Sequence, residues 1–135
     1  MENLAIDLHT AERLKSARVE LMYLFGSVPE GHAHSLSDLD FGVVLRDLEK
    51  LHSDSFAVYI ELYDILTDAF PNTAIDIVFL QAAGLELCSD AIRHGKLLFA
   101  ASADARYEFE ERIMILYADF KPHLDNFNEA VLKRI

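Results

Sequence analysis

Between Asp38 and Leu45 apolar and polar residues alternate. Leu39, Phe41, Val43 and Leu45 fall on one face of an extended segment, while Asp38, Asp40 and Gly42 fall on the other. A two-residue period is incompatible with a helix, and it requires the apolar face to be buried wherever the strand sits in a sheet. The opposite face is the constraining one. Two carboxylates at about 4 Å, in an effective dielectric near 20, repel by about 4 kcal/mol, against a domain stability of roughly 5–15 kcal/mol. A fold that keeps this strand must offset that repulsion.

The rest of the chain supplies elements to build around it. Leu4, Leu8, Ala11 and Leu14 recur at helical spacing up to Lys15, and Val19 to Phe25 is a short apolar run stopped by Gly26, as expected of a buried strand. Ser27 to Ser37, with Pro29, Gly31, His32 and His34, reads as an exposed turn or short helical crossing. Ser53 or Ser55 is expected to cap a helix whose core face is Phe56, Tyr59, Ile60, Tyr63 and Phe70, ended by Pro71. Ala74 to Leu80 predicts another strand, Ile75, Ile77 and Phe79 on one face and Asp76 on the other. Leu85, Cys88, Ala91 and Ile92 form a helical stripe closed by Gly95 in the place of a left-handed cap, and Leu97 to Phe99 adds a short strand. From Asp104, the residues Phe109, Ile113, Leu116, Phe120, Leu124, Phe127 and Val131 repeat every three or four positions, as one long helix or two broken near Pro122. With no repeat or linker, residues 1–135 are expected to be one domain with a helical tail over about 104–135.

Composition narrows the function. The 135 residues carry 23 acidic and 12 basic side chains, a formal charge of −11. Bulk binding to nucleic acid is disfavoured, because that affinity comes from lysine and arginine displacing counterions; a basic protein or a metal-bound nucleotide suits the charge better. The lone cysteine, Cys88, has no intrachain partner, and its apolar stripe marks a core thiol rather than a nucleophile. No signal peptide follows Met1, and no apolar run approaches the roughly 18 residues of a membrane span, so a cytoplasmic protein is expected.

The chemistry-bearing residues are carboxylates. Asp38 and Asp40 are hard oxygen donors suited to Mg²⁺ or Mn²⁺, which take one or two protein carboxylates and complete their shells with water and phosphate oxygens. Asp76, on a neighbouring strand, is the candidate third carboxylate, to help hold a second ion and activate an attacking hydroxyl. Gly26 and Ser27 close the first strand in a turn whose N–H groups and hydroxyl can receive phosphate oxygens. His32 and His34 lack a third nitrogen or sulfur ligand at a recognisable spacing and are read as solvated.

Leu24-Phe25-Gly26-Ser27 through Ser37-Asp38-Leu39-Asp40-Phe41 resembles the nucleotidyltransferase signature of the DNA polymerase β superfamily, specifically the minimal nucleotidyltransferase antitoxins paired with HEPN ribonuclease toxins. The resemblance extends to Ala74-Ile75-Asp76-Ile77-Val78, to Gly95-Lys96-Leu97-Leu98-Phe99 and to the helical tail. It implies an α+β fold with a mixed sheet packed against helices, Mg²⁺-bound ATP as donor, and transfer of AMP to a toxin tyrosine. It also implies that Gly26 and Ser27 hold the triphosphate and that Asp38, Asp40 and Asp76 are the metal-binding catalytic triad. One departure stands out: many members carry an arginine three residues after the motif serine, where this chain has Glu30. Either another cation, Arg46 or a residue of a partner, meets the triphosphate, or nucleotide affinity is weak. Two alternatives follow, an antitoxin that acts by occlusion alone, and a nucleotidyltransferase with a small-molecule acceptor.

Overall fold

The structure is a computed structural model and describes residues 5–25 and 38–133. Its centre is a four-stranded sheet of β1 (Val19–Phe25), β2 (Asp38–Leu45), β3 (Ala74–Phe79) and β4 (Lys96–Ala100), in the order β3-β2-β1-β4. β1 runs antiparallel to β2 and to β4, whereas β2 and β3 are parallel, so the sheet is mixed as expected. The parallel pair needs a crossover, supplied by α2 (Leu48–Ser53) and α3 (Ser55–Ala69). The remaining helices are α1 (Leu8–Ser16), α4 (Leu85–His94) and α5 (Ala103–Lys133).

Each face of the sheet has its own core. Leu39, Phe41, Val43 and Leu45 pack with Val19 and Met22 against Leu14 of α1 and Val58, Leu62, Ile65 and Leu66 of α3. On the other face Leu21, Tyr23, Val44 and Leu80 meet Cys88 and Ala91 of α4 and Phe109 and Ile113 of α5. A register shift between Val19 and Leu21 inserts Glu20 as an extra residue, so these two neighbours at even spacing bury on opposite faces. Beyond β2, the Gln81 side-chain amide accepts from Leu45 N–H at 2.7 Å and donates to Leu45 C=O at 2.6 Å, satisfying both backbone groups as another strand would.

Several expectations change. α1 begins at Leu8 because the Asp7 carboxylate accepts from Thr10 N–H at 2.8 Å and caps it there, which turns Leu8 outward and buries Thr10 with Leu14. Asp54, rather than either serine, caps α3 through Ala57 N–H. The core face of α3 is also different: Phe56 is 73 % exposed, and Ile60 and Tyr63 lie outside as well. Two apolar stripes of this helix satisfy helical spacing; the compact aliphatic one reaches the sheet, and Tyr59 lies at the boundary, stacked on Tyr63 and edge-on to Phe79.

Gly95 is extended (φ −81°) rather than left-handed, and glycine is needed there because a Cβ would strike the Ala91 carbonyl. Left-handed backbone occurs instead at Arg18 (φ 65°), just after α1, and at Asn72 (φ 60°), before β3. α5 runs unbroken through Pro122, where the carbonyl left without an amide donor belongs to the exposed residue Ala118. No helix among the described residues is long and apolar enough to cross a membrane.

Candidate active site

β2 and β3 are parallel with Asp40 opposite Asp76, and β1 and β2 are antiparallel with Phe25 opposite Asp40. Register partners project from the same face, so Asp76, Asp40 and Phe25 form one row across three strands, with neighbouring strands about 4.8 Å apart. The row behind is Val78, Gly42 and Tyr23, and the one behind that holds Val44 and Leu21. Down this face the sheet passes from an apolar floor, covered by α4 and α5, to a carboxylate-bearing end that the two helices leave open: Val44 is buried, Asp40 half-buried and Asp76 exposed.

Two of the carboxylates singled out from the sequence are therefore brought together from strands 36 positions apart in the chain (76 − 40 = 36). Asp38 opens β2 opposite Ala74, and its alternation with Asp40 and Gly42 is that of the strand; its side chain is not among those described. Gly26 and Ser27, with Glu30, His32 and His34, lie outside the described residues. No group of three or more His, Cys, Asp or Glu able to hold a metal occurs among the described residues. The donor set that is described, two carboxylates on adjacent parallel strands, fits one hard divalent cation with room for water and phosphate oxygens.

Arg46 is not available to a triphosphate at this end. It follows the opposite end of β2, six residues of extended chain from Asp40, on the order of 20 Å, and its Nε pairs with Glu20 at 3.2 Å. The sequence orders a strand but does not place its ends relative to a site, so it does not exclude Arg46 from the phosphates as the structure does. Phe25 was legible only as the last residue of an apolar run; its place beside Asp40 depends on register, which a single strand's pattern does not contain.

Cys88 takes no part in this site. It is buried, its Sγ donates to the Leu80 carbonyl at 3.1 Å, and burial pushes its thiol pKa up, as for a structural thiol. Behind the site, the Tyr23 hydroxyl donates to Glu110 Oε2 at 2.8 Å, an oxygen that also accepts from Arg106 Nε at 3.1 Å. Burial first, then Glu110, pushes the Tyr23 pKa up. This bond ties α5 to β1 two residues from Phe25.

Residues 9–104 match the family model described as polymerase beta, nucleotidyltransferase. The chain is 29 % identical over 115 residues to the protein adenylyltransferase MntA of Shewanella oneidensis, covering 85 % of this chain and 75 % of that protein. Among solved structures it is similar to a toxin–antitoxin with AMP-PNP, at 26 % identity and a TM-score of 0.67 over 90 % of this chain and 94 % of that one. It also shares the fold of a chain in the complex of tri-AMPylated Shewanella oneidensis HEPN toxin with MNT antitoxin, at 22 % identity, a TM-score of 0.64 and coverage of 90 % and 91 %.

Proposed function

The chain belongs to the polymerase beta nucleotidyltransferase family, and we propose that it is a protein adenylyltransferase antitoxin, which transfers AMP from ATP to a tyrosine of a HEPN-domain ribonuclease toxin in the cytoplasm. The observation that carries this reading is the in-register pair Asp40–Asp76 within the matched residues. Likeness to a protein adenylyltransferase and to a toxin–antitoxin with AMP-PNP supports the donor and the class of acceptor.

In this reading Asp38, Asp40 and Asp76 hold Mg²⁺, two ions in all, while Gly26 and Ser27 receive the triphosphate of ATP. The bound metal would supply charge neutralisation at the phosphates. β3 is an edge strand, so Asp76 stands at the rim of the sheet, where the hydroxyl of a macromolecular acceptor can approach, and Asp40 lies one strand further in. The acceptor oxygen forms a bond to the α-phosphorus, the bond from that phosphorus to the β-phosphate bridging oxygen breaks, and diphosphate leaves. Asp76 accepts a hydrogen bond from the incoming hydroxyl, aligns it, and takes its proton as the bond to phosphorus forms.

A protein partner is also favoured by α5. Its buried stripe, Phe109 and Ile113, continues along the same side into Leu116, Phe120 and Phe127, all exposed. At 31 residues the helix is about 46 Å long, whereas α4, against which it packs, has 10 residues and spans about 15 Å. We assign this overhang to the toxin, whose complementary face would be basic because the chain carries −11. The same stripe supports occlusion without chemistry as a second reading.

The test is incubation with α-labelled ATP, Mg²⁺ and a HEPN toxin, beside an Asp40→Asn control. Label on toxin tyrosine that disappears with the variant is the expected result. An unlabelled toxin that is still inhibited would replace transfer with occlusion, and label on a small molecule would replace the acceptor class.

A further inference from the structure

Gly42 shares the carboxylate face and lies one row behind Asp40. It is buried and outside the left-handed region, so its backbone does not require glycine; the space does. A Cβ at this position would lie 2.8 Å from Phe25 Cε1 and 3.1 Å from both Cδ atoms of Leu80. The Phe25 ring therefore leans back over Gly42, away from the open end, and occupies the volume that any other residue's side chain would take.

Phe25 is also the last residue of β1 and pairs with Asp40 across the strands. The ring thus sits over Gly42 at the last residue of β1, beside Asp40 in the strand register and directly before Gly26 and Ser27 in the sequence. We propose that Phe25 and Gly42 are a positioning pair for the nucleotide-transfer site: the notch at Gly42 draws the ring off the carboxylates and keeps the Asp76–Asp40 row open to metal and phosphate. The inference rests on the proposed nucleotidyltransferase site and adds Phe25 and Gly42 to it as positioning residues.

The test measures Mn²⁺ binding in the presence of AMP-PNP, by electron paramagnetic resonance and calorimetry, alongside far-UV dichroism, Tm and steady-state kinetics. Gly42→Ala pushes the ring toward Asp40, and the expected result is about tenfold weaker Mn²⁺ and nucleotide affinity with native dichroism. Adding Phe25→Leu, which lacks the colliding Cε1, is expected to restore affinity to within about threefold of wild type. Phe25→Ala, which leaves Gly42 untouched, is expected to weaken nucleotide affinity and raise the KM for ATP. Val44→Ala, a cavity on the same face further down the strand, is expected to lower Tm and leave affinity unchanged. Wild type that fails to bind Mn²⁺·AMP-PNP overturns the nucleotidyltransferase reading and this inference with it. Wild-type binding with equal affinity in a folded Gly42→Ala, with no rescue by Phe25→Leu, or with full affinity in Phe25→Ala, overturns the positioning pair alone.

Discussion

Asp40 of β2 and Asp76 of β3 face each other across adjacent parallel strands, the first half-buried and the second exposed on an edge strand. Like charges so placed favour a divalent cation between them. Asp76→Asn keeps the shape of the side chain and removes one charge. It is expected to cost at least about 100-fold in AMP transfer. Mg²⁺ should then raise Tm less in the variant than in wild type. A variant that transfers AMP at the wild-type rate would remove Asp76 from the site.

Much of this was legible beforehand, and the reasons differ by element. The alternation from Leu39 to Leu45 and the isolated Asp76 in an apolar run were strong because a strand's two faces are set by parity alone. The α3 face is ambiguous in the sequence because Phe56, Ile60 and Tyr63 satisfy helical spacing as well as Val58, Leu62 and Ile65 do, and only the sheet's shape selects between them. α2 is absent from the sequence pattern because Leu48–Ser53 is too short for periodicity to register; its cap, Asp47 accepting from Glu49 N–H, is the signal the sequence offers. The Phe25–Gly42 notch needed the register between two strands and could not be read from either.

Tyr23 supplies a pH test. Its hydroxyl donates to Glu110, and its folded pKa is raised above the ordinary tyrosine value of 10.0 by burial and by that carboxylate. A group raised in the folded state contributes its stability in full below the unfolded pKa and loses it as pH climbs toward the folded value. Tyr23→Phe is therefore expected to cost about 1.5 kcal/mol at neutral pH. Above about pH 10 the gap between the two proteins should close, wild type losing stability the faster. Denaturant titrations from pH 7 to 11 check this; a gap that stays constant across the range would mean the hydroxyl is not held as described.

Ser89 offers the opposite sign. It is 1 % exposed on α4, and its Oγ has no hydrogen-bond partner, next to a cysteine whose sulfur does have one. A buried hydroxyl without a partner costs free energy that alanine does not, and alanine also suits a helix better. Ser89→Ala is expected to stabilise by about 1 kcal/mol, raising Tm by roughly 3–6 °C for a chain of this size. Calorimetry showing a lower Tm would indicate that the hydroxyl is hydrogen-bonded in solution.

Phe120 tests the partner surface without touching the chemistry. It is 44 % exposed on α5, on the stripe that continues from buried Ile113 through Leu116 toward Phe127. Because the side chain is already in water in the free protein, Phe120→Asp is expected to change stability by no more than about 0.5 kcal/mol. An apolar anchor buried in an interface carries about 2 kcal/mol or more, so toxin affinity is expected to fall at least about 30-fold. Affinity for AMP-PNP should be unaltered, since α5 covers the apolar end of the sheet and leaves the carboxylate end open. The −11 charge adds a second signature, a complex that weakens as NaCl is raised from 0.1 to 1 M, where the screening length falls from about 10 to about 3 Å. Surface plasmon resonance on the wild-type and variant pair, with nucleotide binding measured in parallel, separates the cases. Equal toxin affinity moves the interface off α5, and a joint loss of toxin and nucleotide binding would mean that the helix and the site are not independent.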